Sequence, residues 1–284
     1  MIPFEILRPS EQARLPFIVH VPHSSTNVPA DYRADFVLSD PELAAELHTM
    51  TDRYTDELAE AATALGGTVL ANRVSRLVMD PERFADDDAE PMAQRGMGAV
   101  YLSRRDGQAL RRATFSAEDR RRIMSELYEP YHRALDHLAS EMLAAFDRCL
   151  LVDLHSFPRS ALPYEDATLA RPDLCIGFDD AHGDDVLRDR WSAEARARGL
   201  EVGFNTPFAG SLVPTRFYRR DARVRSLMIE LRRDHYMDER TGERSPRFVQ
   251  SLSLITSLLA SAATRCSETD RPTRDATALL EPRR

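Results

Sequence analysis

Cys149-Leu150-Leu151-Val152-Asp153-Leu154-His155-Ser156 is an apolar run that closes on an acid, a histidine and a serine. A run this long without polar alternation is what a strand buried on both faces requires, and such strands belong to parallel sheets covered by helices. A second run, Phe17-Ile18-Val19-His20-Val21-Pro22-His23-Ser24, follows the same plan and also delivers a histidine followed by serine. Residues 68–71, 77–79, 174–178 and 226–231 read as further strands. Helical stretches lie between them. Ser116 with Asp119 forms a capping-box pattern, opening a helix whose apolar positions run from Ile123 through Leu127, Tyr131, Leu135, Leu138 and Met142 to Phe146. Pro130 is expected to kink or split it. A second helix is expected over 41–65, stopped by Gly66-Gly67, and a third over 246–263. Strands alternating with helices define the α/β class, with a largely parallel sheet.

The chain has 284 residues, which suits one large α/β domain, here placed at 1–263 with a loose polar tail at 264–284. Residues 86–107 show no periodicity and read as a long loop. Hydrophobic residues make up 43% and charged residues 30%, values of a folded globular chain. All 38 basic residues are arginine, which excludes lysine Schiff-base chemistry, pyridoxal cofactors and a Walker phosphate loop. A net charge of −8 and a pI near 5.6 argue against nucleic-acid and anionic-membrane partners. The arginine clusters at 104–105, 111–112 and 120–122 are interleaved with acids and read as solvated faces. Cys149, Cys175 and Cys266 have no C-x-x-C spacing and are odd in number, so reduced thiols are expected. With no signal-peptide pattern and no apolar run near 18 residues, the expected compartment is the cytoplasm.

In open α/β sheets ligands gather beyond the carboxyl ends of strands, so His23 and His155 form a candidate metal pair. A catalytic zinc takes two or three histidines and a carboxylate, leaving a position for water. Asp52, in the expected second helix, is one candidate for the carboxylate; spacing does not select it over Glu46 or Asp56. Glu230, late in an apolar strand, must be paired, metal-bound or protonated, because burying a lone carboxylate is costly. Arg232, on the same face by strand periodicity, is its candidate salt-bridge partner, and general base is the equal alternative. Asp153 is either a group orienting a ligand imidazole or a structural acid. His132 and His48 read as packed, bonded histidines.

The ordered segments Val21-Pro22-His23-Ser24, Thr51-Asp52, Ser75-Arg76-Leu77-Val78-Met79-Asp80, Pro130-Tyr131-His132, Asp153-Leu154-His155-Ser156, Asn205-Thr206-Pro207-Phe208-Ala209-Gly210 and Glu230-Leu231 resemble the N-formylglutamate amidohydrolase family. The resemblance spans about residues 15–240. That family is related to the zinc carboxypeptidases and to aspartoacylase and succinylglutamate desuccinylase. The resemblance therefore implies a three-layer fold, with a central mixed, mostly parallel sheet flanked by helices. It implies one zinc or similar divalent ion on His23, Asp52 and His155, with Glu230 as general base. It further implies substrate contacts from Arg76, Arg83, Asn205 and Gly210. The expected substrate is a small N-formyl or N-acyl amino acid. The alternatives are a hydrolase of the same fold acting on another amide and a noncatalytic metal-binding or interaction protein. Two departures bear on substrate. Asp80-Pro81-Glu82-Arg83 stands where the family commonly reads Asp-Leu-Asn-Arg, so Glu82 is expected to repel a substrate carboxylate or neutralise Arg83. Gly210-Ser211 replaces the usual glycine pair, which is expected to add a side chain beside the pocket.

Overall fold

A computed structural model describes residues 2–268. Seven strands form one mixed sheet in the order β1-β3-β2-β4-β7-β5-β6. They are β1 Phe4–Leu7, β2 Phe17–Val21, β3 Thr68–Asn72, β4 Cys149–Phe157, β5 Leu174–Gly177, β6 Val202–Phe204 and β7 Val224–Arg232. The central strands β3, β2, β4 and β7 run parallel, β1 is antiparallel to β3, and β5 is antiparallel to β7. Every residue of β2 and β4 is buried, including His20, Asp153, His155 and Ser156 among their apolar neighbours.

The helices are α1 Ala30–Arg33, α2 Asp40–Met50, α3 Thr55–Leu58, α4 Ala61–Ala64, α5 Ala117–Ile123, α6 Glu129–Phe146, α7 Asp185–Ala197 and α8 Phe248–Ser267. Alternate strand residues feed two cores. Ile18 and Leu151 pack with Tyr131, Leu135 and Leu138 of α6, while Val19 and Val152 pack with Trp191 of α7 and Leu258 of α8. The three-layer arrangement is thus present. The same alternation puts His20, Asp153 and His155 on the α6 side of the sheet, the side from which the site is built.

Several local expectations are corrected. The helix expected over 41–65 breaks after Met50, where Thr51 is extended (ψ 135°) and Tyr54 is left-handed (φ 68°). Asp52 sits in this break, its backbone N–H donating to the His23 carbonyl (2.9 Å) and its own carbonyl accepting from Thr55 Oγ1 (2.8 Å). Tertiary bonds thereby replace helical ones. Residues 77–79 form a buried turn instead of a strand. The Arg111 guanidinium donates to the carbonyls of Leu77, Val78 and Tyr101 (2.9–3.0 Å), supplying donors that a sheet ladder would have offered. The long helix changes register through a π turn at Met124–Tyr128, and Pro130, which has no N–H to donate, follows directly on that wider turn while the backbone stays helical. The 86–107 stretch includes a short 3-10 helix, Pro91–Arg95. Helix α8 continues past 263 to Ser267 and is capped by Glu268; residues 269–284 of the expected tail lie outside the described residues.

Candidate active site

His155 on β4 and Glu230 on β7 are register partners, so the strand pairing itself sets them side by side. His23 follows β2, and the break after α2 carries Asp52 to the same point. His23 Nδ1 lies 3.2 Å from His155 Nδ1, and Asp52 Oδ2 lies 3.3 Å from His155 Nδ1 and 3.7 Å from His23 Nδ1. The outer nitrogens are engaged: His23 Nε2 with Asp80 Oδ1 at 2.8 Å and His155 Nε2 with Asp153 Oδ1 at 3.0 Å. A carboxylate only accepts, so each Nε2 carries the proton and each Nδ1 turns its lone pair inward. Two lone pairs and a carboxylate oxygen this close repel one another unless a cation stands between them. The donor set therefore fits a divalent ion, and the carboxylate behind each imidazole is the usual support for such ligands. Without a metal a proton takes that place: burial alone would lower the His155 pKa, but Asp153, Glu82 and Asp52 outweigh it and raise it well above the ordinary range. The competing acids are engaged elsewhere, Glu46 with Arg105 and Asp56 with Arg73.

Asp52 has its own support. Arg233 Nη2 donates to its Oδ1 (2.8 Å) and the Ser156 N–H to its Oδ2 (3.2 Å). Burial would raise its pKa, yet His155, His23 and Arg233 hold it well below the ordinary carboxylate range. Arg233 was not singled out in the sequence; only its adjacency to Arg232 could have drawn attention to it. Arg232 itself turns to Asp173 and Asp234 (both 2.7 Å), so it is not the partner of Glu230.

Asp153 lies between two imidazoles, 2.8 Å from His20 Nδ1 and 3.0 Å from His155 Nε2, which is the orienting position. Glu82 joins this group, at 3.3 Å from His20 Nδ1 and 3.4 Å from His155 Nε2. Glu82 therefore faces the imidazoles, and the expectation that it neutralises Arg83 is corrected. Arg83 Nε approaches Asp80 Oδ2 only to 3.7 Å and makes no hydrogen bond. Arg76 donates to Asp80 Oδ2 (2.8 Å) and to the Tyr101 hydroxyl (3.2 Å).

Glu230 is 7% exposed, and its Oε2 has no hydrogen-bond partner. Burial pushes its pKa up to about 8, with His155 opposing. It opens on a cavity of about 270 Å³ that His23, Asp52, His155, Arg76, Arg83 and Arg233 also line. A larger cavity of about 440 Å³ lies at the opposite ends of the strands, near Cys149 and Arg223, but no histidine lines it. Asn205 and Gly210 do not line the 270 Å³ cavity. The Asn205 Oδ1 accepts from the Phe178 N–H (2.9 Å) and the Gly210 N–H (3.1 Å), bracing the loop, and Gly210 adopts φ 85°. Ser211 Oγ bonds Ser226 Oγ at 2.6 Å, so its hydroxyl is tied to β7. His132 bonds the Pro81 carbonyl and His48 the Glu239 carbonyl, as packed histidines do.

Strand ends that bring two imidazoles and a carboxylate to one point, beside a buried acid, give this α/β protein the residues of a hydrolase-like site that could hold a cation. The sequence pattern of N-formylglutamate amidohydrolases matches residues 15–237, and the chain belongs to that family; it is an amidohydrolase. It is 32% identical over 235 residues to an N-formylglutamate deformylase of Pseudomonas aeruginosa, covering 81% of this chain and 85% of the relative. It is 31% identical over 266 residues to an N-formylglutamate deformylase of Pseudomonas putida, covering 89% and 96%. A crystal structure of N-formylglutamate amidohydrolase from Ralstonia eutropha JMP134 superposes with a TM-score of 0.81 at 27% identity, covering 94% of this chain and 99% of that one. Among the described residues no helix is long and apolar enough to cross a membrane.

Proposed function

We propose that this amidohydrolase cleaves the amide of N-formylglutamate or a closely related N-formyl amino acid, giving formate and the free amine, with one divalent ion, zinc first, on His23, Asp52 and His155. The observation that carries this reading is the meeting of three donor atoms at 3.2–3.7 Å, with both outer imidazole nitrogens already bonded to carboxylates. When bound, such an ion polarises the scissile carbonyl and lowers the pKa of water. Glu230 takes the proton of the attacking water and passes it to the amine nitrogen as the C–N bond breaks, a role that its unpartnered oxygen and raised pKa suit. Arg76 and Arg83 supply positive charge in the cavity wall for the substrate carboxylate, Arg83 with a donor to spare. Arg233 is a positioning residue for Asp52. Three buried free cysteines suit a cytoplasmic setting.

The test is formate release from N-formylglutamate together with elemental analysis of wild type, His155→Ala and Glu230→Gln. The first variant is expected to lose metal and activity, and the second to keep the metal while kcat falls roughly 100-fold or more. Full metal occupancy in His155→Ala would move the centre elsewhere, and normal turnover in Glu230→Gln would remove the general base.

A further inference from the structure

A second cavity of about 360 Å³ adjoins the catalytic one, and Glu82, Arg83, Ala209 and Met228 are walls of both. The catalytic cavity, about 270 Å³, falls just below the span of about 300–1,000 Å³ typical of drug-sized ligands, and the two neighbouring volumes taken together fall well within it. An N-formyl amino acid is much smaller than such a ligand, so the second volume exceeds what the proposed reaction needs.

Its lining indicates what would fill it. Phe84, Met92, Tyr128, Leu212 and Tyr218 give it a largely apolar and aromatic wall. On that wall the Tyr128 hydroxyl donates to the Arg83 carbonyl (2.7 Å) and the Tyr218 hydroxyl approaches Asp179 (3.4 Å), while Glu82, Arg83, Glu90 and Asp179 add charge to the rest of the lining. Burial lowers the His132 pKa to about 4, so that ring is uncharged near neutral pH. Phe84 is 46% exposed among the lining residues, so its ring is open to contact from a bound group. Its backbone is nevertheless held, because Glu90 accepts from the Phe84 N–H (3.0 Å) and the Met92 N–H (2.9 Å), and Arg120 donates to the Ala85 carbonyl (3.1 Å). An aromatic ring presented on a fixed loop loses little freedom when a ligand covers it.

We propose that this second cavity is a subsite for a bulky apolar, chiefly aromatic, group carried by an N-acyl amino acid, so that the enzyme also hydrolyses amides larger than N-formylglutamate. The inference rests on the catalytic site proposed above. The aromatic group can belong to the amino-acid side chain or to the acyl group, and two substrates separate these cases: N-formylphenylalanine and N-phenylacetylglutamate. Phe84→Ser alters only an exposed ring and leaves the cores untouched. In steady-state kinetics the variant is expected to lower kcat/KM for the preferred aromatic substrate, relative to N-formylglutamate, about tenfold through KM, the scale of losing one aromatic contact. Calorimetric binding of the same two compounds reads the subsite independently of turnover, which separates its failure from failure of the catalytic reading. Weakened binding or the selectivity change supports the subsite. Equal binding and unchanged selectivity in wild type and variant, or no binding of either aromatic compound by wild type, overturns it.

Discussion

Replacing Glu230 by Gln is expected to stabilise the metal-free protein by an amount that grows with pH. A carboxyl whose folded pKa lies above its unfolded value holds its proton more tightly in the fold. It is neutral in both states at pH values below 4.5, its ordinary pKa, and turns against folding as pH rises from there towards the folded value of about 8. Gln keeps the shape and cannot ionise. Linkage then gives a stability difference of about 1 kcal/mol at pH 5, about 3 kcal/mol at pH 7 and about 4 kcal/mol at pH 8. Urea unfolding of both proteins in the presence of a chelator, at several pH values from 5 to 8, measures it. Repeating the series with saturating zinc should shrink the gap, because a nearby cation favours the carboxylate. A difference that does not change with pH would refute the reasoning, since Glu230 would then be ionised in the fold as readily as in the unfolded chain.

Glu82→Gln should weaken metal binding roughly tenfold or more in a chelator competition, because it removes one of two carboxylates beside His155 Nε2. Unchanged metal affinity with a lower KM for N-formylglutamate would instead return Glu82 to the substrate side. Arg83→Ala is expected to raise KM for N-formylglutamate by roughly 10- to 100-fold with a smaller effect on kcat, the scale of one charge-assisted hydrogen bond; an unchanged KM excludes Arg83 from carboxylate recognition. Arg111→Leu leaves the carbonyls of Leu77, Val78 and Tyr101 without their donor and should cost about 3 kcal/mol or more in urea unfolding. A loss below about 1 kcal/mol would show that the 77–79 turn does not depend on it.

The α/β class and the identity of the central strands were legible in the sequence, because β2 and β4 are buried on both faces and carry that in every residue. So were His23, His155 and Glu230, each fixed by its place at or near a strand end. The short edge strands β1 and β6 escaped reading, having too few residues to show a pattern. Asp52 was a ligand candidate in the sequence, but only the family resemblance, and not its spacing, set it ahead of Glu46 and Asp56, since its position depends on a helix break that local propensity does not announce. That break is held by the His23 carbonyl and by Arg233, groups remote in sequence. Glu82 could be read only as a charge beside Arg83 until the turn at 77–79 aimed it at His20 and His155. Periodicity and burial are properties of neighbouring residues, so the sequence by itself determined the sheet and the ends from which the histidines project. Which acid meets them, and which guanidinium holds that acid, depended on hydrogen bonds between segments far apart in the chain, and only the tertiary structure decided those.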